Sequence, residues 1–318
     1  MSSVPLPLVS IVAPFYNEEP GIALYFARLR DALASLTTFR FEFICVDDGS
    51  RDKTLPVLLD HATRDARIRV LELSRNFGKE AALTAGLEAA GGDAVIPIDA
   101  DLQDPPELIA TMLQKWQEGA EVVLARRIDR SSDSFLKRKS AELFYRVHNQ
   151  FSNVKIPDNV GDFRLMDRVV VQALRELPER QRFMKGLFAW VGFRTTVVDY
   201  VRETRSAGDS KFSGWKLWNF ALEGITSFST SPLKIWTYLG GAGALLSLTY
   251  ALFIVARTLV QGVDLPGYAS LLVSIIFFGS VQLIGIGMLG EYIGRIYMES
   301  KQRPLYIVRK THGTPAER

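Results

Sequence analysis

Through the first 125 or so residues, short apolar runs alternate with segments of helical spacing. Residues 8–13 (LVSIVA) read as a strand, followed by the turn 14–20 (PFYNEEP) and helical spacing over roughly 21–36. The pattern repeats: strand 41–46 (FEFICV), helix 54–63, strand 68–73, helix 79–90 (KEAALTAGLEAA), strand 94–98, helix 106–119, strand 121–125. Such alternation predicts βαβ units and a mostly parallel sheet. Ligands of these sheets bind at the carboxyl ends of the strands. Polar clusters fall at those ends: Tyr16, Asn17 and Glu18 after the first strand, Asp47 and Asp48 after the second, Asp99 to Asp104 after the fourth.

Beyond residue 230 the pattern changes. Residues 235–256 and 265–290 carry no charge, and each run is long enough to cross a hydrocarbon core about 30 Å thick as a helix. They predict transmembrane helices at 233–259 and 265–294, closed into a hairpin by the short link 257–264. Basic residues cluster before the first span (Arg202, Arg205, Lys211, Lys216, Lys234) and after the second (Arg295, Lys301, Arg303, Arg309, Lys310), which places both termini on the cytoplasmic side. Residues 1–210 then form the cytoplasmic domain. Residues 211–232, with Trp215, Trp218, Leu222, Ile225 and Phe228 at three- and four-residue steps, read as a helix lying in the interface. In the tail 295–318, the alternation of residues 303–309 (RPLYIVR) predicts a strand added to a sheet edge of this subunit or, in a homo-oligomer, of a neighbour.

Composition adds limits. The 318 residues are 47% hydrophobic and 23% charged, with a net charge of +3 that is too small to argue for nucleic acid. The single Cys45 cannot form an internal disulfide and suits a reducing compartment. The first ten residues lack the charged-then-apolar pattern of a signal peptide. Neither span carries an intramembrane charge, against a channel or transporter. His61, His148 and His312 have no ligand spacing, and surface placement is expected of all three.

The candidate chemistry lies in residues 95–108 (VIPIDADLQDPPEL). Asp99 and Asp101, with Gln103 two residues on, are hard oxygen donors of the kind that suit Mg²⁺ or Mn²⁺ when substrate phosphates complete the coordination. An EF-hand is excluded, because its sixth and twelfth positions are here Asp104 and Ala110. Asp104 and Glu107 are expected to cap the following helix. The G-x-G-x-x-G match at Gly285, Gly287 and Gly290 lies inside an apolar span, where small residues serve helix packing. A cluster of Arg126, Arg127, Arg130, Lys137, Arg138 and Lys139 could hold a lipid phosphate, with Arg126 and Arg138 the favoured pair; Arg202, Arg205 and Lys211 could hold phosphate or headgroups.

The motifs PFYNEE (14–19), VDDGSRDKT (46–54) and DADLQDPPE (99–107) resemble the family 2 glycosyltransferases with a GT-A, Rossmann-like fold. SRNFGKEAALTAG (74–86), GDFRLMDR (161–168) and the C-terminal hairpin are similar to the polyprenyl-phosphate branch of that family. The resemblance implies that Pro14, Tyr16, Glu18 and Lys79 border the nucleotide, with Asp48 or Asp47 on its base or ribose. It implies that Asp99, Asp101 and Gln103 address the metal, and that Asp162, read as a loop residue beside Arg164, orients sugar or acceptor. The processive Q-x-x-R-W signature is missing, so one sugar is expected to move, with inversion, from a nucleotide sugar to polyprenyl phosphate on the inner membrane. UDP-glucose and undecaprenyl phosphate are the expected pair, GDP-mannose the nearest alternative donor, and a non-catalytic nucleotide-sugar sensor the rival from another class.

Overall fold

A computed structural model describes residues 5–128, 159–180, 182, 184–201, 231–261 and 267–315. Its elements in chain order are β1 (Leu8–Phe15), α1 (Ile22–Leu33), β2 (Arg40–Asp47), α2 (Thr54–Arg64), β3 (Ile68–Leu73), α3 (Lys79–Ala89), β4 (Ala94–Pro97), α4 (Leu108–Gln117), β5 (Val122–Arg127) and β6 (Val160–Asp167). Then come α5 (Arg168–Glu176), α6 (Met184–Trp190), β7 (Thr195–Tyr200), α7 (Ser231–Gln261), α8 (Tyr268–Ser300) and β8 (Val308–His312). The sheet order is β7-β5-β6-β4-β1-β2-β3-β8. Only β6 and β8 run against the rest.

Both faces of the sheet are covered, which is why β1 and β2 are nearly continuous apolar runs rather than alternating ones. On one face Tyr25, Phe26 and Leu29 of α1, Leu58 of α2 and Ile109 and Met112 of α4 pack on Val9, Ile11, Phe43 and Ile96. On the other, Ala82, Leu83 and Ala85 of α3 and Val170, Val171 and Leu174 of α5 pack on Val12, Ile44, Val46 and Val95. Helix α3 lies close because Gly86 carries no Cβ; one would stand 2.2 Å from Val12 Cγ1.

Strand order reverses between β1 and β4, the topological switch point at which open α/β sheets form a ligand crevice. The backbone opens that seam. Pairing between β1 and β4 stops at Val12 and Pro97, and the amide of Ile98 donates to Val12 O at 2.9 Å. Pro14, two residues on, faces the same side with no N–H to offer. A proline is tolerated in this central strand because its partner has already ended.

Strand β8 pairs antiparallel with the edge strand β3 of the same chain. It lies at Val308–His312 rather than at 303–309, because Tyr306 turns inward to donate its hydroxyl to Glu88 of α3 and Ile307 O accepts from Ser74 N at 2.9 Å. Among the described residues one helical stretch, Ser274–Ser300, is long and apolar enough to cross a membrane, with mean hydropathy 1.5. The G-x-G-x-x-G match lies within α8, where a Cβ added at Gly285 would stand 3.4 Å from the Trp236 ring of α7. Of the expected interfacial segment 211–232, residues 211–230 lie outside the described residues and 231–232 open α7. His148 does too, while His61 and His312 are partly buried rather than on the surface: His61 stacks on Phe26, and His312 sits 3.6 Å from Glu72.

Candidate active site

Three neighbouring strand ends build the site. After β1, Asn17 adopts a left-handed conformation (φ 54°) and its side chain accepts from Arg51 N at 2.8 Å. Its own amide donates to Ser50 Oγ at 3.1 Å, and Glu18 N donates to Thr54 Oγ1 at 2.9 Å. The tips of β1 and β2 are thus laced into one rim, with Tyr16 42% exposed upon it.

The two aspartates after β2 do different work. Asp48, 3% exposed, accepts from Phe77 N at 2.7 Å, Gly78 N at 2.9 Å and Asn76 Nδ2 at 3.0 Å. Both its oxygens therefore fix the loop that leads into α3. Asp47, 2% exposed, accepts from Ser50 N at 3.3 Å through Oδ2, but its buried Oδ1 has no partner. Burial, then the Glu72 and Asp52 carboxylates, push the Asp47 carboxyl up, against the Ser50 hydrogen bonds.

After β4 the chain turns at Leu102, which has a φ of 55° and a side chain 2% exposed. A leucine costs about 1 kcal/mol or more in this region of backbone space. Its burial in the core beside Ile98 and Ile109 offsets the strain and pins the loop, leaving Asp99 and Asp101 on the crevice side. Asp101 Oδ1 accepts from Gln103 N at 3.2 Å.

Lys79, the first residue of α3, reaches across these strands. Its ammonium lies 2.8 Å from both oxygens of Asp99 and 2.7 Å from Asp162 Oδ2. Burial opposes the Lys79 charge, yet the two carboxylates raise its pKa well above the ordinary lysine value. Asp162 sits on strand β6, not on a loop. Burial works against its charge too, but Lys79, Lys185 and Arg164 hold it down to about 2. The buried Oδ1 of Asp162 has no hydrogen-bond partner. The Asp99 carboxyl moves the other way, raised first by burial and opposed by Lys79.

Val160, Asp162 and Arg164 alternate onto one face of β6, and beside them a cavity of about 170 Å³ lies between β5, β6 and α6. Arg164 stacks on the Phe188 ring at 4.0 Å, and Lys185 and Phe193 complete its charged and aromatic lining. Arg164 and Lys185 were not singled out by sequence reasoning. The alternation of GDFRLMDR was the available signal, since it sends every second polar side chain to the same face.

Several expected roles are redistributed. The α4 N-terminus has no side-chain cap: Asp104 accepts instead from the Tyr200 hydroxyl, and Glu107 pairs with Arg28 at 2.9 Å. Arg126 makes a bidentate pair with Asp199 at 2.7 and 2.9 Å. Arg138, Arg202, Arg205 and Lys211 lie outside the described residues.

As a metal site, the donor set is a small one. Among the described residues no three His, Cys, Asp or Glu side chains converge. Asp99 and Asp101 offer two carboxylates, and Asp99 already holds a cation in the form of the Lys79 ammonium. Two protein carboxylates plus substrate phosphates is the pattern by which Mg²⁺ is commonly held, so the residues fit.

Glu80 gives the region a measurable pH signature. Burial first, then Asp162, push its carboxyl up to about 7, although it accepts from Met184 N at 3.2 Å. A raised folded-state pKa means that ionising Glu80 costs stability as pH rises from about 4.5 to 7, and the cost stays above that. Glu80→Gln is therefore expected to melt above wild type at pH 8, by on the order of 2 kcal/mol, with the gap closing towards pH 5. Thermal melts at pH 5, 6.5 and 8 check this; a gap independent of pH would refute it.

Comparison with known proteins gives the chain its family. Residues 10–175 match the model of Glycosyl transferase family 2, so the chain belongs to that family and is a glycosyltransferase. It is 55% identical over 308 residues to the SfII prophage-derived bactoprenol glucosyl transferase of Shigella flexneri, covering 96% of this chain and 99% of that one. It is 56% identical over 301 residues to the bactoprenol glucosyl transferase of Shigella phage SfV, covering 95% and 98%. Mannosyl-3-phosphoglycerate synthase from Rubrobacter xylanophilus shares the fold, with a TM-score of 0.50 at 18% identity over 74% of this chain and 75% of that one. The sheet is of the mixed α/β, GT-A type.

Proposed function

We propose that this protein transfers a single glucose from UDP-glucose to undecaprenyl phosphate, with inversion, at the cytoplasmic face of the membrane. The observation that carries the chemistry is the convergence of Asp99 after β4, Lys79 at the start of α3 and Asp162 on β6. Near-full-length identity of 55% to a bactoprenol glucosyl transferase supports the acceptor class and the sugar. The apolar stretch Ser274–Ser300 supports a membrane site, and α7 would complete a two-helix hairpin with both ends cytoplasmic.

The uracil N–H would find an acceptor in the orphan Oδ1 of Asp47, with Pro14, Tyr16 and Glu18 bordering the nucleotide. Asp99 and Asp101, with Gln103 beside them, would hold Mg²⁺ or Mn²⁺, which when bound neutralises the departing diphosphate. An acceptor phosphate needs no strong base, because its second ionisation lies near pH 6. Its oxygen attacks the anomeric carbon as the bond to the diphosphate breaks, and UDP leaves. The difficulty is bringing two anions together. Lys185 and Arg164, whose charges act on Asp162, would supply positive charge on the acceptor side, and Arg126, Arg138, Arg202, Arg205 and Lys211 are the acceptor-phosphate residues that the sequence suggests. Asp162, held ionised, would orient a sugar hydroxyl through its unpartnered oxygen.

The test is transfer of label in detergent. Purified protein is given undecaprenyl phosphate, Mg²⁺ or Mn²⁺, and radiolabelled UDP-glucose, UDP-N-acetylglucosamine or GDP-mannose in separate reactions. Label is expected to enter the organic phase from UDP-glucose and to stay aqueous when the metal is chelated. Transfer from GDP-mannose alone would overturn the donor, and nucleotide binding with no transfer from any donor would overturn catalysis in favour of a sensor.

A further inference from the structure

Lys79 stands where a cation is needed. Its ammonium straddles Asp99, 2.8 Å from each oxygen, while a third contact at 2.7 Å goes to Asp162. The lysine is anchored at its base, and its ammonium is tied to two carboxylates. Asp48 grips the amides of Phe77 and Gly78 immediately before it, and the side chain is about half exposed. A four-carbon stem with rotatable donors can change partners without moving the backbone. Asp99 and Asp162 lie 20 and 83 residues away in sequence, yet both fall within the reach of one ammonium.

We infer that Lys79 is a resident counter-ion that competes with the divalent cation for Asp99. A metal approaching Asp99 meets the ammonium against both carboxylate oxygens; repulsion between the two cations moves the ammonium off Asp99, and Lys79 then remains on Asp162. This rests on the metal-dependent reading above and adds a positioning residue to it. The exchange sets metal affinity: the ammonium keeps Asp99 paired in place, but the protein binds a bare cation weakly. A cation that arrives with diphosphate oxygens makes up the difference, because the displaced ammonium can donate to them. The protein is thereby biased towards the metal–nucleotide complex over free metal.

The probe is Mn²⁺ alone, titrated into the full-length protein in detergent without nucleotide, with free Mn²⁺ read by electron paramagnetic resonance. Lys79→Gln is expected to bind Mn²⁺ at least fivefold more tightly than wild type, and Lys79→Arg, which keeps the charge, is expected to stay within twofold of it. A second readout covers any folding defect: saturating Mn²⁺ is expected to raise the melting temperature of Lys79→Gln more than that of wild type. Asp99-dependent binding of equal or lower affinity in Lys79→Gln would overturn the exchange while leaving the metal reading standing. Binding that is the same in Asp99→Asn as in wild type would overturn both, because Asp99 would then not be a ligand.

Discussion

Replacing Asp99 by Asn is expected to lower sugar transfer by about three orders of magnitude, or about 4 kcal/mol of transition-state stabilisation, with little loss of fold. The two halves of that expectation have separate causes. The activity falls because the carboxylate that would hold the metal loses its charge, and a neutral amide is a poor ligand for a hard divalent cation. The fold survives because burial makes the Asp99 charge costly in the first place, raising its carboxyl despite Lys79. An amide of the same shape removes that cost, and Lys79 keeps its 2.7 Å contact with Asp162. Label transfer and thermal melting measured on one preparation check both halves. Activity within tenfold of wild type would remove Asp99 from the chemistry, and a large drop in melting temperature would mean that it acts through structure instead.

Asp99 and Asp101 were legible because their argument is local: acids directly after an apolar strand, in a turn too short to hide them. The same locality made β1 to β5 readable, with edges displaced by two residues or fewer for most. What was lost depends on partners distant in sequence. Strand β6 looks like a loop, since Asp162, Arg164 and Asp167 interrupt VGDFRLMD; it is a strand because its backbone pairs with β4 and β5, and Lys79, Phe188 and Trp116 meet those side chains in space. Asp104 and Glu107 sit where a helix cap belongs by spacing alone, but Tyr200 and Arg28 claimed them. Lys79 was visible as a basic residue near the nucleotide, and nothing within its own helix could say that it joins two carboxylates.

The largest expected effect on stability is at Gly49. Its φ of 66° lies in the left-handed region, and a Cβ there would stand 2.4 Å from the carbonyl carbon of Arg75 and 2.5 Å from Asn76 N. The obstruction is backbone, not the flexible end of a side chain, so the loop 74–78 has to move as a whole. That loop cannot move cheaply, because Asp48 holds three of its donors from the neighbouring position. Gly49→Ala is therefore expected to cost about 3–4 kcal/mol, well above the ordinary effect of a surface substitution, and to lower the melting temperature by roughly 10 °C. Gly78→Ala is the internal comparison. Its φ is 96°, but nothing lies within 4 Å of the added Cβ, so it carries backbone strain without the collision and should lose less. Because Lys79 follows the displaced loop directly, Gly49→Ala should also weaken the grip on Asp99 and Asp162. Nucleotide affinity and transfer would then fall in the fraction that remains folded. If Gly49→Ala melts within 2 °C of wild type, the β2 tip and the loop before α3 are not the rigid unit that positions Lys79.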